Sequence, residues 1–366
     1  MSSKLLLCPD CNNYFSRKES GNIDSQFVDQ FSLFRNLFNI WGDRNSPPPT
    51  LRNVAEIDGC PLHLGPGGTP IFAKSIREQL VNEDGKLVIS VSSPNIEKAS
   101  EQLNHIKNQF KDDGVSLGSA KSCKSFLQQA LGFNLCFGGE VAEKAVLKNL
   151  YNFLFYIKRN LGIDHGLEPS DFIPLKEHLR HNRKNGETFA SLDFKNPHPI
   201  FIEPRDISHY LLVSGSAQKN LVFGSLVVFG HICFSAVLKN DFTGDDFSYG
   251  AKIDPRLRKT EILKSLSVPS FDPSIPQNYP LHAADYFPIM KIKFGEMIEL
   301  YFDEAHNKSF EQIIDIALSN GFPKEGELIT KDHIDAVTKI LESETTRYIF
   351  KVPTEILLDE DDLLIA

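Results

Sequence analysis

Residues 221–238 read LVFGSLVVFGHICFSAVL and set the expected fold class. β-Branched and aromatic side chains, which favour strands, recur through this stretch, and Gly230 separates its two apolar halves. A glycine between two strand-like runs favours a tight turn, so the sequence predicts an antiparallel hairpin with strands over residues 221–229 and 231–238. A bilayer-spanning helix needs roughly 20 apolar residues in a row. Glycine and polar residues interrupt this run, so no membrane segment is expected.

The segments around this hairpin extend it into a sheet with helices beside it. Strand-like runs at residues 199–203 and 208–213 precede the hairpin, and residues 141–161 form the longest helical pattern of the chain. Apolar residues cover too much of this helix for a surface position, so we expect it to be central. Residues 241–280 are rich in Pro, Gly and Ser and predict loops. Together these segments predict the α+β fold class with an antiparallel sheet.

The two ends of the chain carry further predicted elements. Phe27, Phe31, Phe34 and Phe38 recur at helical spacing and predict a helix over residues 25–41 with an aromatic core face. The other predicted elements are a strand over 4–7, a helix over 71–81, a strand over 86–92, a helix over 95–111, a strand near 286, and helices over 309–320 and 331–343. These patterns divide the chain into a zinc-knuckle α+β region (1–120), a helical and antiparallel β domain (121–285) and an α-rich extension (286–366).

The net charge and the number of cysteines narrow the classes of function that this chain can have. The chain has 366 residues and a formal net charge of -9, which argues against a surface coated in positive charge for non-specific nucleic-acid binding. A local basic groove stays compatible with that charge. The chain has 6 cysteines, too few for a disulfide scaffold of this length. The N-terminal residues do not form a signal peptide, so we expect reduced thiols and a cytoplasmic location.

The sharpest local motif is the pair Cys8 and Cys11, because a Cys-x-x-Cys turn lets two thiolates converge on one metal ion. Cys60 and His63 have the same spacing and could complete a tetrahedral Cys3His zinc site. Four protein ligands leave no open position, so such a zinc would be structural. Two alternatives stay open for the first pair: incidental buried thiols, or a redox-active pair.

The order of these features resembles bacterial proteins with an N-terminal HNH (His-Me finger) endonuclease domain and a long C-terminal extension. The pairs Cys8/Cys11 and Cys60/His63 look like that family's knuckle and its second metal pair at a helix start. The elements over 87–110, 141–161 and 221–238 follow in a similar order. The resemblance implies a nucleic-acid-acting protein of bacterial defence, a metal-dependent endonuclease with DNA or RNA as substrate and a divalent ion such as Mg²⁺.

One departure from the family bears directly on activity. The family's catalytic His lies between the two metal pairs, and residues 12–59 contain no His. An acidic residue in that interval could hold Mg²⁺, but none stands in the family's His-centred pattern. The sequence therefore predicts a degenerate nuclease core that acts as a binding module, unless the chemistry has moved elsewhere in the chain.

Three further polar segments have a functional and a structural interpretation. The basic cluster formed by His178, Arg180, His181, Arg183 and Lys184 could contact nucleic-acid phosphates, or could be the solvated end of a helix. Asp164 and His165 resemble an HNH strand motif, but their place after a helix end favours a cap and turn. Residues 303–307 could hold a metal, and a polar loop before a helix is the simpler interpretation.

Two functions from different classes follow. The first is a nucleic-acid-acting HNH-like protein, active or degenerate. The second is a non-enzymatic, zinc-stabilised protein-interaction module, in which the Phe-rich β block and the C-terminal helices form the surface that binds a protein partner. The negative charge and the missing His favour the second. A hydrolase with a cleft between the two blocks has no motif to support it.

Overall fold

The computed structural model describes most of the chain. The described residues are 22–42, 45–57, 59–81, 87–93, 96–112, 121–124, 136–181, 189–196, 206–264, 266–323, 327–349 and 354–357. The predicted strands over 4–7 and 199–203, and the candidate residues Cys8, Cys11, Arg183 and Lys184, lie outside them.

Helices and antiparallel strands account for most of the described residues, which confirms the predicted α+β class. The helices are α1 (Ile23–Gln30), α2 (Ser32–Leu37), α3 (Ile96–Asp112), α4 (Gly139–Leu161), α5 (Ile173–His181), α6 (Ser274–Gln277), α7 (Tyr279–Gly321) and α8 (Lys331–Ile349). The strands are β1 (Leu51–Ile57), β2 (Cys60–Gly65), β3 (Thr69–Phe72), β4 (Ile76–Val81), β5 (Leu87–Ser92), β6 (Lys121–Lys124), β7 (Phe189–Leu192), β8 (His209–Ser216), β9 (Leu221–Val228), β10 (Ile232–Asn240), β11 (Phe247–Asp254), β12 (Lys259–Leu263) and β13 (Thr354–Leu357).

These elements belong to two compact units, each built from separate stretches of sequence. The sheet unit takes its described residues from 1–35, 39–46 and 135–300, and the helical unit takes its own from 36–38, 47–134 and 301–366. Helix α7 contributes residues to both. Within the described residues, no helix combines the length and the apolar character that crossing a membrane requires.

The predicted hairpin lies in the middle of the sheet unit. Its strands, β9 and β10, pair antiparallel within a six-stranded sheet of order β12-β11-β8-β9-β10-β7. The His231 backbone N–H donates to the Val228 carbonyl (3.2 Å), and the two residues between them, Phe229 and Gly230, have φ of 53° and 67°. Positive φ at both central residues defines the type I′ turn, whose twist suits a hairpin. The hairpin prediction is confirmed.

Helix α4 is central, as predicted, and packs on strands β7 to β10. Its start and end are set by glycines in conformations that side chains rarely adopt, Gly138 (φ 89°) and Gly162 (φ 66°). The helix packs closely on the sheet at Gly224, where a Cβ atom would lie 3.3 Å from both methyl carbons of Leu150 and 2.4 Å from the Leu212 carbonyl oxygen. The absence of a side chain on β9 therefore lets the helix approach the sheet.

The aromatic stripe is buried, as predicted, although the helix over 25–41 is broken in two at Phe31. Phe27 packs edge-on against Phe234 of β10, with ring centroids 5.8 Å apart. Phe31 and Phe34 both contact Phe229 at the hairpin tip, at 6.0 Å and 6.1 Å. The stripe thus anchors the N-terminal helices on the hairpin.

Two predicted segments are wrong because strand pairing overrides local composition. Residues 71–81 form the end of β3 and all of β4, which pairs with the confirmed strand β5, although Arg, Glu and Gln favour helices. Residues 241–280, predicted to be loops, contain the antiparallel pair β11 and β12. The Asp254 carboxylate accepts the backbone N–H groups of Arg256 and Leu257 (2.8 Å each) and closes the turn between them.

The helical unit contains a three-stranded sheet (β1-β2-β3), two two-stranded sheets (β4-β5 and β6-β13), the amphipathic helix α3, and the C-terminal helices. Both predicted C-terminal helices are present, but α7 has 43 residues and includes the predicted strand near 286 and the predicted polar loop over 303–307. Those two predictions are wrong, because the apolar run near 286, which contains Pro288, and the polar run 303–307 are both parts of one continuous helix.

We predict that Gly224→Ala destabilises the protein by about 1–3 kcal/mol, the usual cost of overpacking a core. The new methyl group would meet the Leu212 carbonyl oxygen, which cannot move without disturbing the β8–β9 pairing. Urea unfolding followed by circular dichroism measures the change in the free energy of unfolding.

The matched control is Gly295→Ala in α7, where an added Cβ meets no atom within 4 Å. An alanine in a helix interior should leave stability unchanged or raise it by up to about 1 kcal/mol. Equal stability of wild type and Gly224→Ala would contradict the close approach of α4 to the sheet.

Candidate functional site

The predicted second metal pair lies on a strand, not at a helix start. Cys60 and His63 both belong to β2. Side chains alternate across a strand, so residues three apart point to opposite faces, and their Cα atoms are about 10 Å apart at roughly 3.3 Å per residue. Cys60 is buried and its Sγ–H donates to the Lys74 carbonyl (3.3 Å), whereas Nδ1 of His63 accepts the Asn53 backbone N–H (3.1 Å). Strand β2 therefore does not bring this pair together on one ion.

The other pair, Cys8 and Cys11, lies outside the described residues, so structural zinc at that motif stays a prediction. Across the residues that are described, no group of three or more His, Cys, Asp or Glu side chains could hold a metal ion. Cys60 and Cys233 are free thiols, and burial raises the pKa of the Cys233 thiol far above its ordinary value. A thiol in that state is a poor nucleophile and a poor metal ligand.

Only part of the basic cluster lies on the protein surface. Arg180 and His181 are exposed in the last turn of α5, where positive charge also stabilises the helix dipole. His178, by contrast, is buried, with Nε2 3.7 Å from Oε1 of Glu143. His178 is therefore removed from any phosphate-binding surface, and a nucleic-acid contact by Arg180, His181, Arg183 and Lys184 stays a prediction.

The Asp164–His165 segment is a cap and turn, as predicted. Oδ1 of Asp164 accepts the Gly166 backbone N–H (3.0 Å) and is 3.2 Å from Nζ of Lys158. His165 is buried and stacks on Phe247, and burial lowers its pKa. These contacts hold the chain after α4 and leave the imidazole inside the protein.

The sheet unit contains a fully buried carboxylate, Asp193, just after β7. Its oxygens accept the backbone N–H groups of Lys195 (2.8 Å) and Asn196 (3.1 Å), together with the side chains of Asn196, Ser235 and Tyr286. A buried carboxylate that accepts so many hydrogen bonds is typical of a structural turn. The contacts tie the end of β7 to β10 and α7.

A second polar cluster joins Asp206 to neighbouring strands β8 and β11. Its Oδ2 accepts the phenol of Tyr210 and lies 2.7 Å from Nζ of Lys252. Burial alone would raise the pKa of Asp206, but the hydrogen bonds from Lys252, Tyr210 and Ser208 outweigh it and lower the pKa to about 2. Burial and the bond to Asp206 raise the pKa of Tyr210 to about 12, and the same carboxylate raises the pKa of Lys252. Phenol and ammonium therefore keep their protons near neutral pH and do not serve as bases.

Two further histidines of the sheet unit lie near the hairpin tip. Burial lowers the pKa of His209 to about 4, which suits Nδ1 as the acceptor of the Phe229 backbone N–H (3.0 Å). Burial also lowers the pKa of His231, although Glu296, 3.2 Å from its Nδ1, opposes that shift. Both rings are neutral and structural near pH 7.

The helical unit differs in that it exposes large apolar side chains in an ordered row. Large apolar side chains occupy five of the six positions at four-residue spacing from residue 302 to residue 322, with His306 at the sixth, and we call these five the apolar ridge. Its members and their exposed fractions are Phe302 (54%), Phe310 (39%), Ile314 (48%), Leu318 (42%) and Phe322 (47%). Phe322 continues the helical spacing just past the end of α7, because its N–H donates to the Leu318 carbonyl (3.0 Å).

The row next to the ridge on one side is covered within the helical unit, whereas the far side of the helix is exposed at Gln312 and Ile316. Ile313 and Ala317 are buried, and an added Cβ on Gly321 would lie 2.7 Å from the Val337 side chain of α8. Near the other end of α8, Tyr348 hydrogen bonds to His306 and packs on Phe310, with ring centroids 5.4 Å apart. The two helices thus run antiparallel as a hairpin, and the ridge lies along one border of it.

A row of carboxylates lies beside the ridge. Side chains one residue further along the helix form the neighbouring row, Asp303, Asn307, Glu311, Asp315 and Ser319, which carries acidic residues and no Lys or Arg. Glu311 and Asp315 are exposed. An apolar ridge with an acidic border is the best-defined exposed feature of the described residues.

Sequence reasoning missed this ridge although its signal is present. The spacing from Phe302 to Phe322 is visible in the sequence, but the helix was expected to begin at residue 309. That expectation left Phe302 outside the helix and shortened the row. Comparison with protein families, with curated proteins and with solved structures finds no match for this chain.

We predict that Asp206→Asn makes stability less dependent on pH in acid. The folded state holds the pKa of Asp206 at about 2, below the ordinary value of about 3.9. Its carboxylate therefore contributes stability that is complete above about pH 4 and is lost as the pH falls through about 2. Urea midpoints measured from pH 5 to pH 2 should fall less steeply for the variant than for wild type.

Asp245→Asn, which removes an exposed carboxylate from the same unit, is the control and should keep the wild-type slope. If Asp206→Asn and wild type lose stability in parallel, the ion pair with Lys252 is not formed in the folded protein.

We also predict that Cys60→Ser and His63→Ala do not both lower the zinc content of the purified protein. Their side chains face opposite sides of β2, so the two do not bind one ion together. Mass-spectrometric metal analysis of the variants measures this. Loss of zinc from both variants would contradict this prediction and would support the Cys3His zinc site.

Proposed function

We propose that this protein is a protein-interaction module whose helical unit binds a partner protein through the apolar ridge. The observation that carries the proposal is the row of five side chains on α7, each between 39% and 54% exposed. Four of them, at positions 310, 314, 318 and 322, follow one another at four-residue spacing. Scattered exposed apolar residues are normal, but a contiguous exposed apolar surface is typical of a binding site.

The geometry suits recognition by another helix. A row of side chains spaced by four is one of the two ridges that helices insert into each other's grooves, and paired rows of this kind give the commonest crossing angle, about -50°. Helix-in-groove recognition uses anchors at i, i+3, i+4 and i+7 spacing. Aromatic anchors such as Phe302 and Phe310 supply much of the binding energy in such surfaces.

The nucleic-acid function implied by the HNH resemblance has less support from the described residues. Its exposed basic candidates are Arg180 and His181. The ridge itself is bordered by Glu311 and Asp315, whose charges would repel phosphates. A protein ligand fits this surface better than DNA or RNA does.

We predict that a photo-crosslinking amino acid placed at position 314 captures a protein partner in the cells that make this protein. The same residue at position 312 is the control, because Gln312 is also exposed but lies about half a turn away around the helix. The expected result is a discrete adduct from position 314 that is absent from position 312 and is lost when Phe310→Ser is added.

The measurement is the mass shift of the captured protein on a denaturing gel, followed by identification of both crosslinked chains. Circular dichroism checks that each variant keeps its helices. Equal adducts from both positions, or no adduct from either, would refute a partner-binding role for the ridge.

A further inference from the structure

The charge beside the apolar ridge indicates what kind of partner it fits. We propose that the ridge binds an amphipathic helix of another protein that carries Lys or Arg along one border of its apolar face. This inference rests on the proposed function and specifies the chemistry of the partner.

The first support is the asymmetry of the two borders of the ridge. On one side the neighbouring row contains Ile313, Ala317 and Gly321, which are buried within the helical unit. On the other side the row contains Glu311 and Asp315, both exposed. Among the α7 residues that flank the ridge, the exposed charge therefore lies along one border and is negative.

The second support is electrostatic complementarity. A carboxylate row at the rim of an apolar contact attracts ammonium or guanidinium groups, raises the association rate and rejects partners with acidic borders. The stems of Lys and Arg are apolar, so such residues can cover the rim of the ridge while their charged ends reach Glu311 and Asp315. A partner helix with an apolar row and a basic row matches both features of this surface.

A second copy of the chain matches it less well. In an antiparallel pair of ridges, equivalent borders face each other, so the carboxylate row of one copy would lie against that of the other. In a parallel pair, the carboxylate row would face the row of Ile313 and Ala317, which is already covered within its own unit. Like charges placed opposite one another are destabilising, so the surface disfavours self-association.

The test uses two designed, fluorescently labelled helical peptides and the full-length protein. Both peptides carry the same Leu row at i, i+4 spacing. One carries Lys in the neighbouring row and the other carries Glu there. Fluorescence anisotropy at low and at physiological salt gives the dissociation constant for each peptide.

We expect the Lys peptide to bind at least about 10-fold more tightly than the Glu peptide, with weaker binding as salt rises. The double variant E311K/D315K should reverse this preference. The control D245K/E261K makes the same change in net charge at exposed positions of the sheet unit and should keep the wild-type preference. Ile314→Asp should abolish binding of both peptides.

Equal binding of the two peptides by wild type would overturn the inference, as would equal effects of the two charge-reversal variants. Light scattering that shows a dimer dissociated by Ile314→Asp would also overturn it, because the occupant would then be a second copy. If neither peptide binds while the crosslink from position 314 to another protein persists, the inference fails and the proposed function stands. Loss of that crosslink removes the proposed function itself.

Discussion

The approach of helix α4 to the sheet at Gly224 is the contact on which the sheet unit depends. Strand β9 lies between β8 and β10, so a side chain at this position would stand between the helix and the middle of the sheet. Without one, Leu150 rests directly on the strand, and the apolar face of α4 is buried along its length. Burial of that helix face and of the strands beneath it supplies the main favourable free energy of this unit.

The hairpin tip adds a second constraint to the same core. Phe229 has a positive φ, which is uncommon for an aromatic residue, and its conformation is held from two directions. Its ring contacts Phe31 and Phe34, and its N–H donates to His209. The N-terminal aromatic helices and strand β8 therefore both depend on one turn, and the neutral state of His209 follows from its role as the acceptor there.

The sequence predicts those parts of the fold in which pattern and burial agree. Residues 141–161 and the hairpin carry strong apolar patterns, and their boundaries are within a few residues of the observed ones. Residues 71–81 were mistaken for a helix because Arg, Glu and Gln favour helices, and strand pairing overrides that preference. Strands β11 and β12 were missed because Pro, Gly and Ser are frequent in residues 241–280 and indicate loops. Of the two, β12 is an edge strand, where polar residues are tolerated.

The candidate site was harder to predict, because it is identified by the solvent exposure of its apolar side chains. Exposure depends on how the chain folds and cannot be read from the spacing of the residues. A row of Phe, Ile and Leu at helical spacing is the usual signature of a core face, and the same signature correctly placed Phe27 and Phe31 inside. The opposite mistake is easily made with two carboxylates. In the sequence, Asp193 and Asp206 look like surface charges. In the structure, the hydrogen bonds that they accept give them a structural role within the sheet unit. The spacing of Cys60 and His63 suggested chelation, and the strand geometry separates them.

The margins of the six-stranded sheet have a consequence for how this protein associates. At one margin, β12 presents Lys259 and Glu261, and at the other, β7 is only four residues long. Charged or very short outer strands are the usual protection against strand addition and fibre growth. Among the described residues, both outer strands of the sheet unit therefore have features that disfavour edge-to-edge polymerisation.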